Sequence, residues 1–273
     1  MIPVGPAERP ALERFLRAHL LDAMFPLANL AAHGLHGAHP NATRFWVDAP
    51  DPTAALGLTR RGMALPVWDA GFDATRAVPL LGDAPVTGLA GAAHVVRPLM
   101  RAANLDRRPA LLSDDEPQYA LDLDSLAVPP GAGRLVPISR DPATAAAWRL
   151  AYERELHLGH GDPAGAEATV RRWTAEDSHR ILVVDGAPVA LTGFNARLPD
   201  IVQVGSVFVP PALRRRGLGA LAVAQHLAEA RAAGVRRATL FAASPAAASV
   251  YERLGFHRAG TFALALLEPE AAA

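Results

Sequence analysis

Val207-Phe208-Val209-Pro210-Pro211-Ala212-Leu213-Arg214-Arg215-Arg216-Gly217-Leu218-Gly219-Ala220 is the stretch on which the fold turns. A Val-rich run, Ile201–Val209, reads as a buried strand. It enters a short loop carrying Arg-x-x-Gly-x-Gly (Arg214, Gly217, Gly219), and the loop opens a helix over Arg216–Ala233 that Gly234 closes. A pyrophosphate needs several backbone N–H groups aimed at one spot with no side chains in the way. A helix N-terminus supplies the N–H groups and a favourable dipole. Gly217 and Gly219 allow close backbone approach, and the arginines add charge. The bland alternative is an ordinary strand-to-helix turn with solvated arginines. A P-loop is excluded because the chain has no Lys, and a dinucleotide fingerprint would sit after the first strand of its domain rather than the fourth.

A second motif follows one strand later: Ser244-Pro245-Ala246-Ala247-Ala248-Ser249-Val250-Tyr251-Glu252-Arg253-Leu254-Gly255-Phe256. Tyr-x-x-x-Gly-Phe at a helix end, this far beyond Arg-x-x-Gly-x-Gly, resembles the GNAT superfamily of N-acetyltransferases. The resemblance is good over Val207–Phe256 and extends in element order over Arg134–Leu267. It is weak over residues 1–127, which look like the degenerate first copy of a tandem-GNAT protein. The resemblance implies acetyl-CoA as co-substrate. Amides around Arg215, Arg216, Gly217, Leu218, Gly219 and Ala220, with Arg214, would hold its pyrophosphate. The Val207-Phe208-Val209 backbone would pair with the pantetheine arm, and an N–H there would polarise the thioester carbonyl. Ser244, where the family usually has Asn, would cap the next helix near the cofactor. Tyr251 falls at the family's general-acid position; a tyrosine hydroxyl, with pKa near ~10, can protonate a departing thiolate. The alternative for Tyr251 is a core aromatic. The strand position used as a base in histone-type members is Gln203, which cannot take a proton.

Working outward, Arg134–Ile138 reads as a strand. Asp141-Pro142 opens a helix running to about Leu158, and Ala164–Trp173 is a second helix. Arg180–Val184 and Ala187–Asn195 are strands joined by the hairpin signal Asp185-Gly186. Arg237–Ala242 is a strand, Ser244–Gly255 a helix and Phe256–Leu267 a last strand. The first half reads as a helix over Pro10–Met24, a loop over Ala31–Ala42, and strands over Arg44–Ala49, Ala54–Arg60 and Met63–Trp68. A helix over Gly88–Leu105 and a strand over Tyr119–Leu126 follow. Val128-Pro129-Pro130-Gly131-Ala132-Gly133 reads as a linker, which places domains at 1–130 and 134–273. The expected fold class is α/β (α+β): a mixed, mostly antiparallel GNAT-like sheet flanked by helices, after a diverged GNAT-like N-terminal domain.

Composition narrows the chemistry. In 273 residues there is no Cys and no Lys, which removes thiol nucleophiles, disulfides and lysine Schiff bases. The 51% hydrophobic content is enough for two cores. Net charge is +0, far from the basic bias of a nucleic-acid binder. Arg-only basicity with much Ala and Pro suggests a GC-rich bacterial genome. Without a signal-like start or a long apolar run, the expectation is a cytoplasmic protein with no membrane or nucleic-acid partner, monomeric or homodimeric.

Other candidates are Glu155, His157, His160 and Asp162, around the end of the first helix of the second half. In the resemblance this region borders the acceptor pocket, and Glu155 is the pick for a catalytic group there; partial core packing is the competing reading. His33, His36 and His39 recur every third residue, but a solvated loop accounts for them better than a metal site. Three functions compete. The first is acetyl transfer from acetyl-CoA to a small-molecule or peptide amine by direct attack. The second is a non-catalytic acyl-CoA-binding regulator. The third is a tandem transferase that builds peptides or thiol cofactors.

Overall fold

The computed structural model describes residues 1–82, 85–156 and 161–269. Cα packing divides the chain into two compact units, Met1–Glu116 with Gly260–Ala273, and Pro117–Ala259. In chain order the elements up to the first unit's end are β1 (Ile2–Pro3), α1 (Arg9–Ala18), α2 (Met24–His33), β2 (Thr43–Val47), β3 (Ala54–Thr59), β4 (Met63–Trp68), β5 (Gly88–Ala92), α3 (Ala93–Ala102) and β6 (Ala110–Asp122). There follow β7 (Arg134–Pro137), α4 (Pro142–Glu155), α5 (Pro163–Ala175), β8 (His179–Val184), β9 (Ala187–Arg197), β10 (Ile201–Phe208), α6 (Leu218–Ala232), β11 (Arg237–Phe241), α7 (Pro245–Arg253) and β12 (His257–Leu267).

The two series repeat one order, strand, two helices, three strands, a connection, strand, helix, strand. In the first unit the sheet runs β1-β2-β3-β4-β5, and β12 then pairs antiparallel with β5 through Phe262–Leu266. In the second it runs β7-β8-β9-β10-β11, and β6 pairs antiparallel with β11 through Gln118–Asp122. Each unit therefore takes its sixth strand from the far end of the other series. Each has one parallel pair, β4 with β5 and β10 with β11; the other pairings are antiparallel. The decisive difference is the connection inside that pair. In the second unit it is the α-helix α6; in the first it is a 3₁₀ run over Ala74–Leu81 containing Pro79.

Local signals explain the second unit. Asp141 accepts from the Thr144 N–H and Pro142 stands at the first helical position of α4; Asp162 caps α5 by accepting from Gly165 N–H at 2.8 Å. Asp185 (φ 50) and Gly186 (φ 79) make a two-residue turn between β8 and β9, with left-handed backbone at both positions. One face of the sheet packs Val202, Val204 and Leu240 against Val223 and Leu227 of α6 and Leu254. The other packs Ile181, Leu191 and Phe208 against Ala145 of α4 and Val170 and Trp173 of α5. A fully buried Leu or Val contributes about 1.5–3 kcal/mol, so both faces anchor the strands that carry the site.

Three expectations differ from what is seen. Gly88–Ala92, read as the start of a helix, is strand β5, and the helix begins at Ala93. At Gly88 a side chain would run into the Ala265 backbone carbonyl, so the pairing with β12 needs glycine there. The start of the expected loop, Ala31 to His33, belongs to α2. The Pro-Gly stretch 128–133 falls within the residue range of the second unit and runs along its surface, where Gln225 donates to the Gly133 carbonyl at 3.2 Å and Gly131 lies against Leu221.

Candidate active site

Strand β10 leads into the site. Its parallel ladder with β11 covers Ile201–Val204 against Arg237–Leu240 and stops. From Gly205 onward the edge of β10 towards β11 carries no ladder, which leaves strand backbone available to an amide-bearing ligand.

The turn then leaves a run of backbone N–H groups without partners. Pro211–Leu213 form a 3₁₀ turn, Arg215 adopts φ 65 and Gly217 φ 74 as N-cap of α6. The first helical bond runs from Leu221 N–H to the Gly217 carbonyl at 3.0 Å. Among the described residues, no hydrogen bond uses the N–H groups of Arg215, Arg216, Gly217, Leu218, Gly219 or Ala220. These orphan donors, with the helix dipole behind them, are what a pyrophosphate requires. The two glycines serve differently. A Cβ at Gly217 would meet nothing, so that position needs glycine for its φ and stays open to a ligand; a Cβ at Gly219 would press 3.4 Å from Val209 Cγ2.

The three arginines also separate. Arg214 gives its Nε–H to the Val209 carbonyl at 2.9 Å and both terminal nitrogens to Glu155, at 2.9 and 2.6 Å. Its guanidinium lies over Phe208, 5.8 Å from the ring centre. Arg215 and Arg216 are exposed, and neither enters an ion pair among the described residues. Glu155, the last residue of α4, is thus brought to the phosphate turn as a partner of Arg214. Asp162 is the cap of α5, and His157 and His160 lie outside the described residues.

On the far side, Ser244 accepts from the Ala247 N–H at 3.2 Å and starts α7. Tyr251 is half-buried on α7, packs on the core with Leu254 and meets Phe256 edge-on at 6.0 Å. Its neighbour Glu252 accepts from Tyr119 Oη at 2.9 Å, which raises the Tyr119 hydroxyl above its ordinary range. Gln203 is buried, and its Nε2 donates to the Val204 carbonyl at 2.6 Å.

Sequence reasoning missed three polar features. His179 is buried and stacked on Trp173 at 3.6 Å, and burial pushes it well below 6.5. His226 is buried on α6 against Phe194 at 3.8 Å, pushed by burial to about 3. Ser206 is buried at φ 54 in the middle of β10. The adjacent Gly205, a glycine inside a Val-rich strand, was the available sign of a bulge there.

The strand pair β10/β11 thus parts beside a helix N-terminus whose N–H groups have no partner among the described residues. Residues 145–256 match the Acetyltransferase (GNAT) family. Among solved structures the chain resembles a Drosophila protein at 14% identity and TM-score 0.68, over 98% of each chain. It also resembles a GCN5-related N-acetyltransferase from Kribbella flavida at 18% identity and TM-score 0.58, over 98% of this chain and 97% of that one. A third is a GCN5-related N-acetyltransferase from Sphaerobacter thermophilus, at 17% identity and TM-score 0.58 over 97% and 93%. At such identities these likenesses show the fold. No curated protein matches the chain. The match to the GNAT family thus lies within the second unit, and a GNAT-like fold extends over nearly the whole chain. That fold supports acetyl transfer in general, and no described helix is long and apolar enough to cross a membrane.

Proposed function

We propose that the protein is an N-acetyltransferase that moves the acetyl group of acetyl-CoA to a primary amine by direct attack. The observation that carries this reading is the run of unpartnered N–H groups from Arg215 to Ala220, placed where β10 leaves β11. Arg215 and Arg216 add the charge for a pyrophosphate, and the edge of Val207-Phe208-Val209 takes the pantetheine amides. Acetyl-CoA supplies the activated thioester. An N–H of β10 polarises its carbonyl oxygen. As the new C–N bond forms and the C–S bond breaks, Tyr251 Oη gives its proton to the departing sulfur. The amine must attack in its neutral form, and its surplus proton leaves to water. Gln203 cannot take it, β10 carries no carboxylate, Glu155 is engaged with Arg214, and Asp162 caps α5.

The same Gln203, a buried amide at the strand position where a carboxylate would serve as base, favours a second reading: an acyl-CoA-binding regulator without turnover. Calorimetric titration with acetyl-CoA, followed by thiol-release assays against a panel of amino acids, polyamines and peptides, separates the two. Absence of acetyl-CoA binding by the folded protein sinks both. Binding without thiol release from any amine leaves the regulator. Gly217→Val, which forces a β-branched residue to φ 74 and fills the open face of the turn, should lower acetyl-CoA affinity by about tenfold or more.

A further inference from the structure

β9 and β10 change register twice between Gln203 and Phe208. Gln203 faces Ala196, but Val204 faces Phe194, so Asn195 is an extra residue on β9. Gly205 faces Gly193, and then Phe208 faces Leu191, so β10 carries one extra residue between them, where Ser206 sits at φ 54. The second shift cancels the first, and the strands leave in the register in which they entered. The pair of bulges restores the pairing, while the extra residue on β10 shifts its alternation by one, so that Phe208 packs on the face opposite Val204.

The two bulges are tied to each other. Ser206 Oγ donates to Asn195 Oδ1 at 3.3 Å. The Asn195 carboxamide lies over Gly205, in the place a Cβ of residue 205 would take. A serine in the left-handed region is held against its own steric preference, which costs about 1–2 kcal/mol in a non-glycine residue. The β10/β11 ladder ends at Val204, one residue before this knot. The knot thus sits where β10 parts from its ladder with β11.

We propose that Asn195 is a positioning residue: by holding Ser206 in the left-handed conformation it keeps the β10 bulge in place and fixes the N–H groups of Val207 and Phe208 in the direction acyl transfer needs. This rests on the acyl-transfer reading for its kinetic consequence, but the bulge itself can be tested without turnover. Asn195→Ala removes the acceptor and the carboxamide over Gly205. Ser206→Gly in the same chain removes the need for support, because glycine enters the left-handed region at little cost. Ser206→Ala keeps the need and loses the hydroxyl.

Hydrogen exchange of the Gly205–Phe208 amides and kcat at saturating substrates are measured for the wild type, Asn195→Ala, Ser206→Ala and Asn195→Ala/Ser206→Gly. Expected are faster exchange and a kcat lower by about tenfold in the two alanine variants, since 1–2 kcal/mol is about five- to thirtyfold. Both readouts should recover to within about threefold in the double variant. Acetyl-CoA affinity should fall much less than kcat, because the phosphate turn is untouched and only the pantetheine edge at Val207–Val209 is disturbed. Unchanged exchange in Asn195→Ala overturns the proposal whether or not the wild type turns over. Loss in Asn195→Ala that Ser206→Gly does not rescue, with a raised amine KM, makes Asn195 a substrate contact instead. A wild type that exchanges as expected across the series yet releases no thiol with any amine refutes the acyl-transfer reading alone.

Discussion

Arg214 spends its whole guanidinium on the protein: Nε on the Val209 carbonyl and both terminal nitrogens on the carboxylate of Glu155. Glu155 ends α4, so the pair ties that helix to the strand-to-helix turn across 59 residues of sequence. Side-chain exposure of 39% and 47% puts the pair in the solvent-screened class, worth about 0.2–1 kcal/mol. The arginines that remain to meet phosphate are Arg215 and Arg216.

The division of labour predicts unequal effects on acetyl-CoA affinity. Arg215→Ala or Arg216→Ala should each weaken binding about tenfold, since a hydrogen bond to a charged group is worth about 1.5–3 kcal/mol, and the dependence on salt should become shallower. Glu155→Ala and Arg214→Ala should each cost about fivefold or less, and the double variant no more than Arg214→Ala alone. Calorimetry at two salt concentrations checks this. A kcat loss of ~10²-fold in Glu155→Ala with affinity intact would instead make Glu155 the proton acceptor.

The repeat of the fold predicts one acetyl-CoA per chain. Where the second unit has α6, the first has the 3₁₀ run with Pro79, so among the described residues no α-helix N-terminus stands between its parallel strands. The β4/β5 ladder is short, Met63–Ala64 against Gly88–Leu89, and Pro66 two residues on has no N–H to extend it. The cavity there, beside the His19–Asp69 pair, has a volume of about 150 Å³, below the several hundred a drug-sized ligand fills. Native mass spectrometry should show a single bound acetyl-CoA; two equivalents would overturn the expectation.

Much of this architecture could be read from the sequence because its signals were local. Asp185-Gly186, Asp141-Pro142, Ser244-Pro245 and Gly234 marked element ends within a residue or two of where they fall. The strand-to-helix turn over Pro211–Gly217 was legible for the same reason, since the residues that form it are neighbours in sequence. What escaped was long-range. Nothing local says that β6 pairs with β11 and β12 with β5, or that Arg214 finds Glu155. Gly88–Ala92 lacks β-branched residues and alternation, and it is a strand only because two neighbours close on it. The compensating bulges at Asn195 and Ser206 depend on two strands at once.

Acid should destabilise the second unit through its two buried histidines. In the unfolded chain each titrates near 6.5. In the folded chain burial holds both neutral, His226 down to about 3 with Arg180 and Arg197 assisting, and His179 well below 6.5. Between about 3 and 6.5 the unfolded state binds more protons, so this contribution is full above 6.5 and is lost as pH falls through that window. Denaturant midpoints should drop from pH 7.5 to pH 5. His226→Phe, stacking on Phe194 in place of the imidazole, should flatten the slope. An equal slope in wild type and variant would assign the pH dependence to other groups.

Tyr251→Phe tests the proton donor. The ring is held by the core around Leu254 and by the edge contact with Phe256, and phenylalanine keeps both. The phosphate turn lies on α6 and is untouched, so the acetyl-CoA dissociation constant should stay within about twofold. If the hydroxyl protonates the departing thiolate, kcat should fall about 10²–10⁴-fold, the usual size of a general-acid contribution. Gln203→Ala is the control on the neighbouring strand. Its amide is buried and donates to the Val204 carbonyl, so alanine should lower thermal stability while costing far less in kcat than Tyr251→Phe. In wild type the rate should rise over about pH 6–9, as an amine with pKa near ~10.4 gives up its proton to water, and Tyr251→Phe should keep that rise because the hydroxyl acts on the leaving group rather than on the amine. An unchanged kcat at saturating substrates in Tyr251→Phe would reduce Tyr251 to a packing residue and require another donor for the thiolate.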